Sequence, residues 1–258
     1  NDTTLPEEWT PVGTSLANSF KGTFDGQNNT INVPEGGLPL FGYVVGPMIK
    51  NLNIFGSKIA GYGLINNYVV GAGNPTIDNV TLKSGSSTLQ SGFIGGFASG
   101  MNSITIMNST VEEGVVIGYD KKQSKIGSFG GDFNGSIDNC VSYATVYGVN
   151  KVGGILASKG QSMGTCKVIN SAFHGTIVAT GNYVGGIIGS GYEASSAPNS
   201  PCVTIQNCVS SVSSITGGNN VGGILGGEPG INQCWENGIG YIQNNEFSGR
   251  ISAKGSYV

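Results

Sequence analysis

Charge is scarce in this 258-residue sequence: 12 Lys and Arg and 15 Asp and Glu make up 10% of the chain, with a net charge of −3. An average soluble domain carries about 25% charged residues. The basic residues are scattered along the sequence, so there is no basic stripe to displace counterions, and a nucleic-acid partner is not expected. Histidine occurs once, at His174, and none of the five cysteines forms a Cys-x-x-Cys pair, which argues against a zinc site. No run of 18 apolar residues is present, so no segment is suited to span a membrane as a helix. Proline is limited to nine residues and glycine has no three-residue period, which excludes a collagen helix. The first residue is Asn and no signal peptide precedes it, so the chain reads as a mature or excised piece of a longer protein.

What is abundant is glycine, 45 residues, set among regularly recurring Ile, Val and aromatic residues. That regularity argues against disorder. One recurring element is an aliphatic residue, any residue, then Asn. It occurs at Ile49-Lys50-Asn51, Ile77-Asp78-Asn79, Ile106-Met107-Asn108, Ile137-Asp138-Asn139, Val168-Ile169-Asn170, Ile205-Gln206-Asn207 and Ile242-Gln243-Asn244. Successive asparagines are 28, 29, 31, 31, 37 and 37 residues apart. A second element, Val-Gly-Gly followed by two aliphatics and a small residue, falls between them at Val152–Ala157, Val184–Gly189 and Val221–Gly226. Looser versions lie at 63–65, 92–95 and 126–130. Between the two elements the pattern alternates, as in Val141-Ser142-Tyr143-Ala144-Thr145-Val146.

A fixed period of this length signals a solenoid. Each repeat supplies two or three short strands joined by sharp turns, and none can bury its apolar face alone. Stacking at about 4.8 Å per rung pairs every strand with the copies above and below. The recurrent Asn then forms a ladder in which an otherwise buried amide is satisfied by its neighbours. The paired glycines suit positive φ or close backbone approach. Helices are excluded because almost no ten-residue stretch lacks Gly or Asn. The expected architecture is an all-β, right-handed single-stranded parallel β-helix of about seven rungs, a single domain. Residues 1–37 form an N-terminal cap and first rung, with Glu7 and Glu8 in the cap, and residues 38–258 form the repeats. The last residues match the run that leads into Val184-Gly185-Gly186, so the C-terminal end reads as cut mid-repeat.

The opening residues carry a resemblance. Trp9-Thr10-Pro11-Val12-Gly13, then Phe20-Lys21-Gly22-Thr23-Phe24-Asp25-Gly26, then Leu40-Phe41-Gly42-Tyr43-Val44 and the Val-Gly-Gly-Ile repeats resemble bacterial surface proteins with GLUG-type repeats. The resemblance runs over residues 9–258 and implies a right-handed parallel β-helix within a large secreted or cell-wall protein. It also implies occurrence in adhesin-like proteins and beside the catalytic domains of immunoglobulin A-cleaving metallopeptidases. The motif contains no catalytic residue, so none carries over.

Candidate chemistry concentrates where the interval widens to 37. The added residues follow the Gly-Gly strand in two adjacent repeats and bring Tyr192, Glu193, Glu228, Trp235, Glu236 and Tyr241 toward one another. Aromatic faces beside carboxylates form a glycan-binding composition. The bland alternative is that Trp235 and Tyr241 cover the solenoid flank. Glycoside hydrolysis needs two carboxylates about 5–9.5 Å apart. Asp78 and Asp138 share a register but are two rungs apart, about 10 Å, with Met107 between, and the pair looks incidental. Asp120 and Asp132, with Lys121, Lys122 and Lys125 nearby, read as a solvated turn, and His174 reads as surface or packing.

Cys140 and Cys208 each follow a ladder Asn and read as buried thiols in the core. Cys166–Cys202 on adjacent rungs and Cys202–Cys234 across the long connections are competing disulfides. Acidic residues do not recur with the period, so no calcium roll is expected, and Asp25 reads as holding its own turn. No cofactor or metal is expected. The favoured reading is a non-enzymatic, secreted or cell-surface β-helix module, a monomeric spacer or adhesin, with a host or dietary glycan or a host surface protein as partner. The competing reading is a fragment of a β-helix glycoside hydrolase or polysaccharide lyase.

Overall fold

The computed structural model describes residues 1–68, 74–94, 104–160, 166–191, 203–227 and 241–255. The described residues contain strands and turns and no helix. The stack is a parallel β-helix: a strand pairs with its counterpart about thirty residues earlier and later in the chain, in parallel.

The fully formed rung has more strands than the alternation suggested. Residues 166–190 contain five: Cys166–Ile169, Ala172–Phe173, Thr176–Ala179, Val184–Gly185 and Ile188–Ser190. Two-residue strands such as Val184–Gly185 are too short to show a period of two, so the sequence pattern merges them with the turns around them.

The aliphatic residue of the first six aliphatic-x-Asn elements is buried in the core, while Ile242 of the seventh is exposed. Ile49, Ile77, Ile106, Ile137, Val168 and Ile205 pair in register down one column, each with no exposed surface. Nothing else could make one rung stable, since each side chain is buried only by the rungs on either side. A second inward column alternates large and small residues. Val111, Ser142, Phe173 and Ser210 are in register, and Ser142 Oγ meets Ser128 Oγ at 2.7 Å in the core.

The paired glycines serve only one of the two roles expected of them. None of the Val-Gly-Gly glycines adopts positive φ. Each instead admits a close approach. A Cβ on Gly154 would overlap the Gly186 carbonyl oxygen and the Phe173 ring, and one on Gly186 would overlap the Gly223 carbonyl oxygen and Ser210 Oγ. The second glycine of each pair is therefore the space into which the large-and-small column packs.

Candidate functional site

Asn108, Asn139, Asn170, Asn207 and Asn244 are turn residues between the first and second strands of their rungs, while Asn51 and Asn79 lie within the continuous strands Met48–Phe55 and Thr76–Leu82. All seven adopt left-handed backbone conformation, with φ of 51° at Asn51, 53° at Asn79, 50° at Asn108, 51° at Asn139, 49° at Asn170, 53° at Asn207 and 55° at Asn244. Asn tolerates this region because its short polar side chain bonds locally. The side chains do meet: Asn79 Nδ2 donates to Asn51 Oδ1 at 2.9 Å, Asn139 to Asn108 at 2.8 Å, Asn207 to Asn170 at 3.1 Å and Asn244 to Asn207 at 3.4 Å.

One expectation about these residues needs correcting. The ladder amides are not buried: Asn51 is half-exposed and the other six are exposed. A left-handed residue at a corner throws its side chain outward, so the ladder fixes the turn and the register rather than rescuing a buried polar group. Asp78 and Asp138, read as an incidental carboxylate pair, each have a separate structural use. Asn108 Nδ2 donates to Asp78 Oδ1 at 2.7 Å and Asn170 Nδ2 to Asp138 Oδ1 at 2.9 Å. In both cases the Asp before the ladder Asn replaces that Asn as acceptor for the rung above. Asp25 plays the same part at the start of the stack, accepting from Asn51 Nδ2 at 3.1 Å and from the Gln27 N–H at 3.0 Å. The Gln27 N–H, then Asn51 and Lys50, hold its carboxyl below the usual carboxylate range.

Where the residue after a ladder Asn is Ser or Asn, it covers a backbone donor of the neighbouring rung. Ser109 Oγ accepts from the Val80 N–H at 3.1 Å, Ser171 Oγ from the Cys140 N–H at 3.1 Å and Asn245 Oδ1 from the Cys208 N–H at 2.9 Å. Cys140 and Cys208 occupy this column between them, both buried free thiols, as is Cys166. The Cys166–Cys202 bridge is therefore not formed. Cys166 is a free thiol in register with Gly135 and Val203, which places it inside the stack. Cys202 and Cys234 lie outside the described residues.

Burial pushes the Cys140 and Cys166 thiols up to about 12 and also raises Cys208. A thiol whose folded pKa lies above its unfolded value stabilises the fold relative to high pH. That contribution is complete below the unfolded pKa of about 9 and is lost as pH climbs toward the folded value, at about 1.4 kcal/mol per pH unit for each thiol. Denaturant midpoints are expected to fall between pH 8 and about pH 10.5. Cys140→Ser, which installs the residue found in this column at 109 and 171, should make the fall shallower. An identical pH dependence in that variant would remove the thiol as the cause.

A second asparagine ladder escaped the sequence reading. Asn150 Oδ1 accepts from the Asn182 N–H at 2.8 Å, and Asn182 Oδ1 accepts from the Asn219 N–H at 2.9 Å and Nδ2 at 3.1 Å. Its signal is an Asn two places before each Val-Gly-Gly. The residue after it is again left-handed, with φ of 54° at Lys151, 62° at Tyr183 and 57° at Asn220, as is Lys125 at 63°, which follows Ser124.

The remaining candidate residues are accounted for individually. Asp132 Oδ2 pairs with Lys125 Nζ at 2.8 Å and its Oδ1 accepts from Ser158 Oγ at 2.6 Å, while Asp120 caps its own turn through the Lys122 N–H at 3.0 Å. His174 stacks on Tyr143 with ring centroids 5.2 Å apart. Lys159, which drew no attention in the sequence, is buried. Burial holds its amine below the usual lysine range, and Nζ donates to the Gly160 carbonyl at 3.0 Å. Of the glycan-candidate set, Tyr241 is exposed and its carbonyl accepts from the Ile205 N–H at 2.7 Å. Tyr192, Glu193, Glu228, Trp235 and Glu236 lie outside the described residues. The ends of their connections are placed, however. Ser190 and Gly227 are register partners, as are Ile205 and Ile242, so both long connections leave and rejoin the same two columns in adjacent rungs.

Among known structures, a chain of an IgA1 protease shares this fold. The similarity has a TM-score of 0.57 at 16% sequence identity and covers 93% of the present chain. The present chain spans 19% of the length of that protease chain, so the likeness is one of fold over a fraction of a larger protein. No family model matches the sequence, and the GLUG-type repeats rest on the quoted residues alone. No curated protein matches it.

Proposed function

We propose that the chain is a non-enzymatic β-helix module of a secreted or cell-surface bacterial protein, a spacer or adhesin that presents a ligand face on a stiff rod. The observation that carries this reading is the use made of the carboxylates. Asp25, Asp78 and Asp138 accept from ladder asparagines of the next rung, Asp132 is held by Lys125 and Ser158, and Glu112 bonds Lys83 and the Ser84 N–H. Burial raises the Glu112 carboxyl, but those two donors outweigh it and leave it below the usual range. An acid held this way stitches rungs together and is poorly placed to act as a proton donor at neutral pH. The shared fold within a larger protease chain is a second support, since there too the β-helix is one part of a longer protein.

The ligand face in this reading is the pair of long connections with Tyr192, Glu193, Glu228, Trp235, Glu236 and Tyr241. The test is a glycan and host-surface-protein panel on the immobilised chain, run beside an assay for new reducing ends on the same polysaccharides. Retention without cleavage, weakened by Trp235→Ala at unchanged melting temperature, is the expected result. Turnover of any retained polysaccharide would overturn the non-enzymatic reading.

A further inference from the structure

We propose that a cavity in the first rung, lined by Trp9, Phe24, Gln27 and Asn29, binds an uncharged sugar residue of a glycan. This deepens the reading of the chain as a binding module and rests on it, but it concerns the start of the stack rather than the long connections.

The site starts from an irregularity in the backbone. Asp25 and Asn29 pair with Lys50 and Leu52 of the next rung, so four steps of chain oppose two and the first rung carries a bulge. Gln27 and Asn28 within it are both left-handed, with φ of 52° and 62°, where each later ladder position has a single left-handed Asn. Strained residues of this kind persist only where neighbours over-determine them, and bulges re-aim side chains beside sites. The neighbours that hold this one are in place. Asn28 O accepts from Asn53 Nδ2 at 2.8 Å, Asn28 Oδ1 from Asn79 Nδ2 at 3.3 Å, and Asn29 Nδ2 donates to Gly26 O at 2.9 Å. The Gln27 side chain is exposed.

Between the bulge and the N-terminal arm, whose Thr3 and Thr4 pair with Ile31 and Asn32, lies a cavity of about 420 Å³. That is within the roughly 300–1,000 Å³ of ligand sites. Leu40 and Leu52 line it from the core, and the half-buried Trp9 and Phe24 give it aromatic surface. Both rings are fixed beforehand: Trp9 Nε1 donates to Pro39 O at 3.3 Å, and Phe24 meets Phe41 edge-on with centroids 5.6 Å apart. Preorganised walls lower the ordering cost of binding. Among the described residues Asp25 is the one charged side chain in the lining, and Lys50 at 3.3 Å, Asn51 and the Gln27 N–H already engage it. What the cavity offers a ligand is therefore aromatic surface beside neutral amides and hydroxyls, from Gln27, Asn29, Thr4 and Thr30. A sugar ring has the matching chemistry, an apolar C–H face with hydroxyls around its edge.

The test reads tryptophan emission. Trp235→Phe leaves Trp9 as the one tryptophan of the chain. That chain is titrated with the methyl glycosides of glucose, galactose, mannose and N-acetylglucosamine, and with methyl glucuronide. At least one neutral glycoside is expected to shift the Trp9 emission saturably, and the glucuronide to bind more weakly because its carboxylate meets that of Asp25. Adding Gln27→Gly, where glycine accepts the φ of 52°, should weaken binding about threefold to tenfold at unchanged melting temperature. The proposal is overturned by silence with all four neutral glycosides, by equal affinity for the glucuronide, or by a Gln27→Gly chain that binds as tightly. A chain whose Trp9 is silent, yet which is retained by the glycan panel through Trp235 without cleavage, overturns this cavity and leaves the module reading standing.

Discussion

Gly154→Ala is expected to be among the most damaging single-methyl changes in the chain, lowering stability by about 3–5 kcal/mol or preventing folding. The added Cβ would overlap the Gly186 carbonyl oxygen of the adjacent rung and the Phe173 ring, which has no exposed surface and nowhere to move. Relief would need two rungs to separate, and they are held by parallel backbone bonds on both sides. Gly186→Ala meets the Gly223 carbonyl oxygen and Ser210 Oγ and should behave alike. Gly223→Ala should be much milder, because what it meets is the ring of Phe247, 38% exposed and able to swing outward. Gly22→Ala, which meets only Phe20 ring atoms at 3.5 Å, should be neutral or slightly stabilising. Thermal and urea unfolding followed by circular dichroism ranks the four. Equal losses at 154 and 223 would mean that the backbone approach is not what those glycines provide.

The same series shows what the sequence could and could not disclose. The seven recurrent asparagines were legible because one residue type recurs where a left-handed backbone demands it and the residue two places earlier is always aliphatic. The second corner was not, although it obeys the same backbone rule. Its left-handed position holds Lys125, Lys151, Tyr183 and Asn220, four side chains with nothing in common except the turn they occupy. Conformation repeats there while chemistry varies, and pattern reading detects chemistry. The paired glycines were visible as a repeat, but the choice between positive φ and close approach depends on what the next rung places opposite them. The structural use of Asp78 and Asp138 could not be read from the sequence because their partners, Asn108 and Asn170, sit a full repeat away.

Asn139 separates the two contributions an asparagine ladder can make. Its side chain is exposed and donates to Asn108 Oδ1 at 2.8 Å, while the rung above does not use it as an acceptor, because Asn170 bonds Asp138 instead. Removing the side chain therefore breaks one solvent-facing hydrogen bond, worth about 0.5–1.5 kcal/mol. Forcing a β-branched residue to hold φ at 51° adds strain of about 1–3 kcal/mol. Asn139→Gly keeps the turn and loses the bond; Asn139→Val loses both. Gly is expected to stay within about 1 kcal/mol of wild type and Val to fall by about 2–4 kcal/mol, read from urea midpoints at pH 7. The reverse weighting, with Gly as damaging as Val, would make the amide bonds the main support of the stack. The second corner shows that the left-handed conformation itself needs no amide, because Lys125 and Lys151 adopt it without one. Asparagine at the first corner thus acts chiefly as the residue that accepts a left-handed turn at low cost, and its hydrogen bonds keep one rung in register with the next.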